Sequence, residues 1–162
     1  MKFSNYLKTI ELVPIKIDKV EISNIYAQYN YDRFKYWKSL VDTKDNDNIL
    51  NMKYSPHVNF LNNIDKLSKS ETSKYFVLQK LYGKNREWIF DKIDKFILLF
   101  DSIIYNGYDD TQPITILRQS IVPNNYNVGK YEIYEGHHRL ACMLTIGESH
   151  ILSQICDWRI QT

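Results

Sequence analysis

Two cysteines, four prolines and five glycines are all that 162 residues carry of the types that most constrain a backbone. Cys142 and Cys156 have neither CxxC spacing nor a histidine at metal-site spacing, which sets aside a zinc ribbon, a redox dithiol and a disulfide framework. Both are expected as small buried hydrophobes. No apolar run approaches the roughly 18 residues of a membrane span. The opening MKFSNYLKTIELV is broken by Ser, Asn, Lys and Thr and has no signal-peptide core, so a cytoplasmic location and no membrane association are expected. Charge of one sign is scarce too. The formal net charge is +2 with a pI near 8.4, and basic and acidic residues alternate, as in DKIDK at 91–95. Without a clustered basic stripe, composition offers nucleic-acid binding no support. No P-loop GxxxxGK[ST] or kinase-type glycine loop occurs. No carboxylate cluster has metal-site spacing, which leaves a nuclease reading unsupported and the expected metal ligands at none.

What is there reads as a globular protein. The hydrophobic fraction of 44% and charged fraction of 25% suit a water-soluble fold, and the length suits one domain over 1–162. ELVPIKIDKVEI (11–22) alternates as a strand, with Pro14 marking an edge position or the strand's beginning. YDRFKYWKSLV (31–41) spaces Phe34, Trp37, Leu40 and Val41 as a short helix, and DTKDNDN (42–48) is a polar loop. A helix can begin at 55–64 with Ser55 as cap and Pro56 at its first position, making His57 a surface or helix-start residue. SETSKYFVLQKLYG fits another helix, capped by Ser70 and stopped by Gly83.

The clearest helix spans 85–105. Trp88, Ile89, Ile93, Phe96, Ile97, Phe100, Ile103 and Ile104 recur at three and four, a stripe expected in the core. Asn85 caps it, Asp91 and Lys95 pair, and Gly107 ends it. The period then changes to two in PITILR (113–118). A polar loop with Pro123, Asn124, Asn125 and Gly129 leads to a strand YEIYE (131–135), a helix from His138 to Ile146 stopped by Gly147, and a closing strand at 150–158. The expected fold class is therefore α+β, a small mixed β-sheet with packed helices. The aromatic N-terminal residues Tyr26, Tyr29, Tyr31, Phe34, Tyr36 and Trp37 read as core in preference to a contact surface.

Chemistry concentrates in YEIYEGHHRL (131–140), where a strand turns into a helix. Three readings fit it. The first helical N–H groups, the positive end of the helix dipole, Gly136 and the fork of Arg139 suit an anion. A metal site is weakened by His137 and His138 being adjacent, because helical ligand pairs prefer spacings of three or four. The third reading is structural, an ion pair of Glu135 with Arg139 capping the helix.

FDKIDKFILLFDSIIYNGYDDTQPITIL and YEIYEGHHRLACMLTIGESHILSQIC together resemble the ParB/sulfiredoxin superfamily. The resemblance lies in Gln112-Pro113-Ile114, in Tyr131 to Arg139 and from Ile146-Gly147 onward; it covers 84–158 well, and the strand and helices of 1–83 loosely. It implies a nucleotide whose phosphates sit on the turn. His137 stands where sulfiredoxins carry their nucleophilic cysteine, which argues against that chemistry. The Arg-Arg of partition proteins is His138-Arg139 here, and no helix-turn-helix pattern occurs. The turn is closest to the free-serine kinase branch, Asp-Gly-x-His-Arg, with Glu135 for Asp. That branch implies Glu135 as base, Gly136, His137, His138 and Arg139 at the phosphates, and ATP, ADP or CTP with Mg2+ as cofactors. Glu11, Glu21, His57 and Arg118 are accessory candidates. The expected function is phosphotransfer or nucleotide hydrolysis on a small hydroxyl-bearing metabolite. The alternative is a non-catalytic nucleotide- or nucleic-acid-binding regulatory module.

Overall fold

The computed structural model describes residues 10–28, 35–41, 49–119 and 130–161. The expected loops at 42–48 and around Pro123, Asn124, Asn125 and Gly129 lie outside the described residues, as do Tyr29, Tyr31 and Phe34.

Six strands form one mixed sheet: β1 (Ile10–Glu21), β2 (Ile25–Gln28), β3 (Ile49–Asn51), β4 (Ile114–Leu117), β5 (Tyr131–Glu135) and β6 (His150–Ile160), in the order β1-β6-β4-β5-β2-β3. β1 is an edge strand, as Pro14 requires, and runs antiparallel to β6 from Ile10↔Ile160 to Glu21↔His150. A bulge between Pro14 and Lys16 interrupts that ladder. Central β4 lies parallel to β6 and antiparallel to β5, and its Ile114, Ile116 and Leu117 are buried. β2 joins β5 in parallel through Ile25↔Tyr131 and carries β3 on its outer side. The α+β class with a mixed sheet is thus observed, with two strands more in the N-terminal half than periodicity indicated. β2 and β3 have four and three residues, too short for an alternation to register.

The helices are α1 (Lys35–Leu40), α2 (Pro56–Leu61), α3 (Ile64–Leu67), α4 (Lys74–Leu81), α5 (Arg86–Asn106) and α6 (His137–Ile146). α6 packs against α2 and α5, and α4 against α1 and α2. Ser55 Oγ accepts from Val58 N at 3.1 Å and Pro56 opens α2, as the sequence indicates. The cap of α4 is Ser73, which accepts from Phe76 N at 3.0 Å. Ser70 is occupied instead with Thr72, three residues short of the helix. Asn85 Oδ1 accepts from Trp88 N at 2.8 Å, Asp91 pairs with Lys95, and Gly107 closes α5 at φ 78°.

Only part of the α5 stripe is core. Ile89, Ile93, Phe96 and Ile103 are buried, whereas Trp88 and Ile104 are exposed, along with Leu98 and Tyr105. A stripe this wide exceeds what one packing surface covers. Tyr26 and Trp37 are buried, in agreement with the core reading of the N-terminal aromatics. Cys142 and Cys156 are free and buried, and burial pushes the Cys142 thiol up to about 12. No helix among the described residues is long and apolar enough to cross a membrane.

Candidate functional site

β5 ends at Glu135, Gly136 makes the turn, and α6 starts at His137. Gly136 holds φ 103° and ψ 27°, the left-handed region where a Cβ is costly. A Cβ there would stand 2.5 Å from Ile114 Cγ2 and 2.8 Å from Ile114 Cβ. The missing side chain is therefore filled by β4, and that packing, in addition to the backbone conformation, demands glycine. With no side chain, Gly136 itself offers the first amides of α6 no capping acceptor. Its carbonyl accepts from Leu140 N at 2.9 Å to begin the helix.

Glu135 is exposed at the strand end, opposite Thr115. A register shift between Thr115 and Ile116 sets Tyr134 out of the pairing just before it. Burial raises the Tyr134 hydroxyl, and the Glu135 charge adds to that. Among the described residues Glu135 and Arg139 form no ion pair, so the capping reading of that couple is not what the structure contains. Arg139 Nη1 donates instead to the carbonyls of Gln112 and, at 3.3 Å, Pro113. Tyr108 Oη donates to the same Gln112 carbonyl at 2.6 Å. Burial raises the Tyr108 hydroxyl while the Arg139 charge draws it back. Asp109 is held below the carboxylate range by hydrogen bonds from Thr111, with a smaller pull from Arg139. Arg139 thus ties the 107–113 loop to the start of α6 and brings its charge to the turn.

The two histidines turn toward the helical layer. The His138 ring lies 4.7 Å from Phe96 and 4.7 Å from His57, both edge-on, and its Nε2 is 2.8 Å from Tyr75 Oη. His137 lies 6.0 Å from Trp37 and stacks at 6.3 Å on His57. His57 begins α2 as expected, but it is 4% exposed, so its surface reading is corrected. Helix packing of α2 on α6 turns the second residue of α2 inward, where Trp37, Tyr75 and Phe96 enclose it. His57 is therefore the one accessory candidate brought to the turn.

The other three lie elsewhere. Glu11 pairs with Arg159 at 2.8 Å at the far end of the β1–β6 ladder. From Ser153, which is level with Ile114, that is about 20 Å along the strand at ~3.3 Å per residue. Glu21 is exposed opposite His150 on the edge strand, with β6 between it and β4. Arg118 follows β4 at the end away from the turn and grips Asp157 with Nε at 2.9 Å and with Nη2. Tyr75, Trp37 and Phe96 escape sequence reasoning as neighbours of the turn because they sit in apolar helical spacing, where aromatics read as core. Among the described residues no group of three His, Cys, Asp or Glu is arranged to hold a metal ion.

Compared with known protein families, curated proteins and solved structures, the chain matches none.

Proposed function

We propose that this chain is a nucleotide-binding protein of the ParB/sulfiredoxin type that transfers a phosphoryl group to a small hydroxyl-bearing metabolite. The observation that carries the reading is the junction of β5 and α6. An exposed carboxylate, Glu135, immediately precedes a left-handed glycine that opens a ten-residue helix and has no side chain to cap it. Backbone amides at the positive end of a helix suit phosphate oxygens. Arg139, on the same first turn, adds a permanent charge and still has donors beyond Nη1.

In this reading the substrate hydroxyl gives its proton to Glu135 and its oxygen attacks the terminal phosphorus of ATP, ADP or CTP. The shortened nucleotide leaves. The amides of α6 and Arg139 stabilise charge on the transferring group, the main demand of phosphoryl transfer. Mg2+, when bound with the nucleotide, supplies charge neutralisation at the phosphates, and Glu135 is an oxygen donor of the hard type it favours.

Melting curves with ATP, ADP and CTP, each with Mg2+, test the site. Ligand at 100 times its dissociation constant stabilises by about 2.7 kcal/mol. If none of the three raises the melting temperature, the phosphate reading fails. Glu135→Gln then tests the chemistry, with nucleotide affinity retained and turnover reduced by about 10²–10⁴ if Glu135 is the base.

One observation favours the non-catalytic regulatory module as a second reading. His138 is engaged with Tyr75 and Phe96, and Arg139 with backbone carbonyls, so much of the turn serves the framework. Nucleotide binding without turnover on any hydroxyl metabolite selects that reading.

A further inference from the structure

We infer that β1 is a docking edge for a second copy of this chain. Two β1 strands pair antiparallel across a two-fold axis at Ile17 and join the two sheets into one. The inference is independent of the phosphate turn. β1 ends the strand order, and among the described residues its outer side carries no strand. Residues 14–19 are exposed without a break, with Ile15 at 43% and Ile17 at 58%. Such an edge presents backbone N–H and C=O groups that template pairing with another chain. The opposite edge strand, β3, offers three residues against the twelve of β1, so a head-to-tail β1–β3 contact has little ladder to form. Pairing of β1 with itself is isologous and closes at two copies.

Backbone direction and charge together select the register. Ile22 N donates to Ser149 O, beside β6, at 2.8 Å, while Lys19 N donates to the side chain of Asp18 at 2.8 Å. Hydrogen-bonding direction alternates along an extended strand, so Lys16, Asp18 and Val20 face β6, and Ile17, Lys19 and Glu21 face outward. Pro14 and the bulge after it limit the regular edge at one end, and β1 stops at Glu21 at the other. A two-fold at Lys16, Asp18 or Lys19 sets that residue opposite its own copy, and like charges directly opposite are destabilising. A two-fold at Val20 leaves only residues 19–21 to pair, because the strand ends there. A two-fold at Ile17 sets Lys16 opposite Asp18 of the second copy and Asp18 opposite its Lys16. Lys16 and Asp18 already share one face of β1, with Nζ and Oδ2 3.6 Å apart. On the other face Ile17 meets Ile17, a β-branched pair, and the two residues exchange both backbone hydrogen bonds.

Sedimentation of the whole chain from about 1 µM to 1 mM reads the pairing. One strand edge buries less than a standard interface, so the equilibrium belongs in the weak part of that range. The expected result is a monomer that becomes a dimer with rising concentration, while amide exchange at Ile17, followed by NMR, slows in step. A chain that stays monomeric throughout overturns the proposal. A dimer in which exchange at Ile17 is unchanged overturns it as well.

Two variants test the register. Lys16→Asp places like charges opposite each other twice across the axis and should weaken the dimer about tenfold. Adding Asp18→Lys to it restores opposite charges and should recover most of that loss. Ile17→Pro removes the outward N–H and leaves the β6 ladder intact, a change that an edge strand tolerates. It should abolish the dimer with little change in the far-UV spectrum of the monomer. A dimer that survives Ile17→Pro, or a charge swap that recovers nothing, overturns the proposal. The wild-type exchange measurement needs no variant, so an Ile17→Pro chain that fails to fold does not shield it.

Discussion

At Gly136 a single hydrogen stands where any other residue would place a carbon against β4. Two penalties coincide there. The left-handed backbone costs about 1–2 kcal/mol once a Cβ is present. A forced core contact, here 2.5 Å to Ile114 Cγ2, adds about 1–3 kcal/mol. Gly136→Ala is expected to lower stability by about 2–5 kcal/mol, read from the urea midpoint. Gly147 also has positive φ, at 96°, but open space where its Cβ would go. Gly147→Ala should therefore show only the backbone penalty, about 1–2 kcal/mol. Equal losses in the two variants would refute the packing account of Gly136. Glycine at such a turn is legible in sequence. That its empty side points at Ile114, and not at a ligand, is not legible, because the two residues meet only when β4 and β5 pair.

At the level of elements, most helices and strands follow from local chemistry. The caps at Ser55 and Asn85, the stop at Gly107 and the strand YEIYE all lie where residue pattern and turn chemistry put them. α4 shows the limit of that reasoning. Its segment SETSKYFVLQKLYG reads as capped by Ser70, a residue type that favours the cap position. Burial chooses Ser73, which is 3% exposed and bonded to Phe76 N. Ser73→Ala is expected to cost about 1 kcal/mol or somewhat more, while Ser70→Ala leaves the thermal midpoint nearly unchanged. The reverse order would return the cap to Ser70. The same choice by packing decides α5, whose sequence periodicity marks an apolar stripe but not which half of it meets α6.

The whole molecule responds to pH through groups spread across its elements. Hydrogen bonds and charge from arginines hold Glu11 and Asp157 below their ordinary 4.5 and 3.8, as Thr111 chiefly does for Asp109. A lowered folded-state value contributes stability above the unfolded value, and this is lost as pH falls through the folded one. Asp109 is exposed and Glu11 and Asp157 are only half-buried, so the acid-side loss should be small and should shrink further in added salt. Cys142, shifted from 9.0 to about 12, and Tyr75, shifted upward from 10.0, work in the other direction. Their stabilising effect is full below the unfolded values and declines as pH rises above about 9. Melting temperature against pH should therefore be flat near neutrality and fall on the alkaline side with little dependence on salt. An alkaline limb that salt abolishes would show that surface charge, and not these buried groups, controls it.

The sequence by itself determined the α+β class, the edge strand at Pro14, the long helix with its cap and stop, and the strand-glycine-helix junction at 131–146. These depend on periodicity, capping and backbone freedom, which act over a few residues. Tertiary structure alone decided the six-strand order, the existence of β2 and β3, and the fate of each candidate side chain. Glu11 and Arg118 are drawn into ion pairs with Arg159 and Asp157 on β6. His57 is drawn under α6 beside His137 and His138, and Tyr75 reaches His138 across 63 residues. The physical reason is the same in each case. A hydrogen bond or ring contact between distant segments depends on how sheets and helices pack, and no local pattern of residues encodes which partner that packing will deliver.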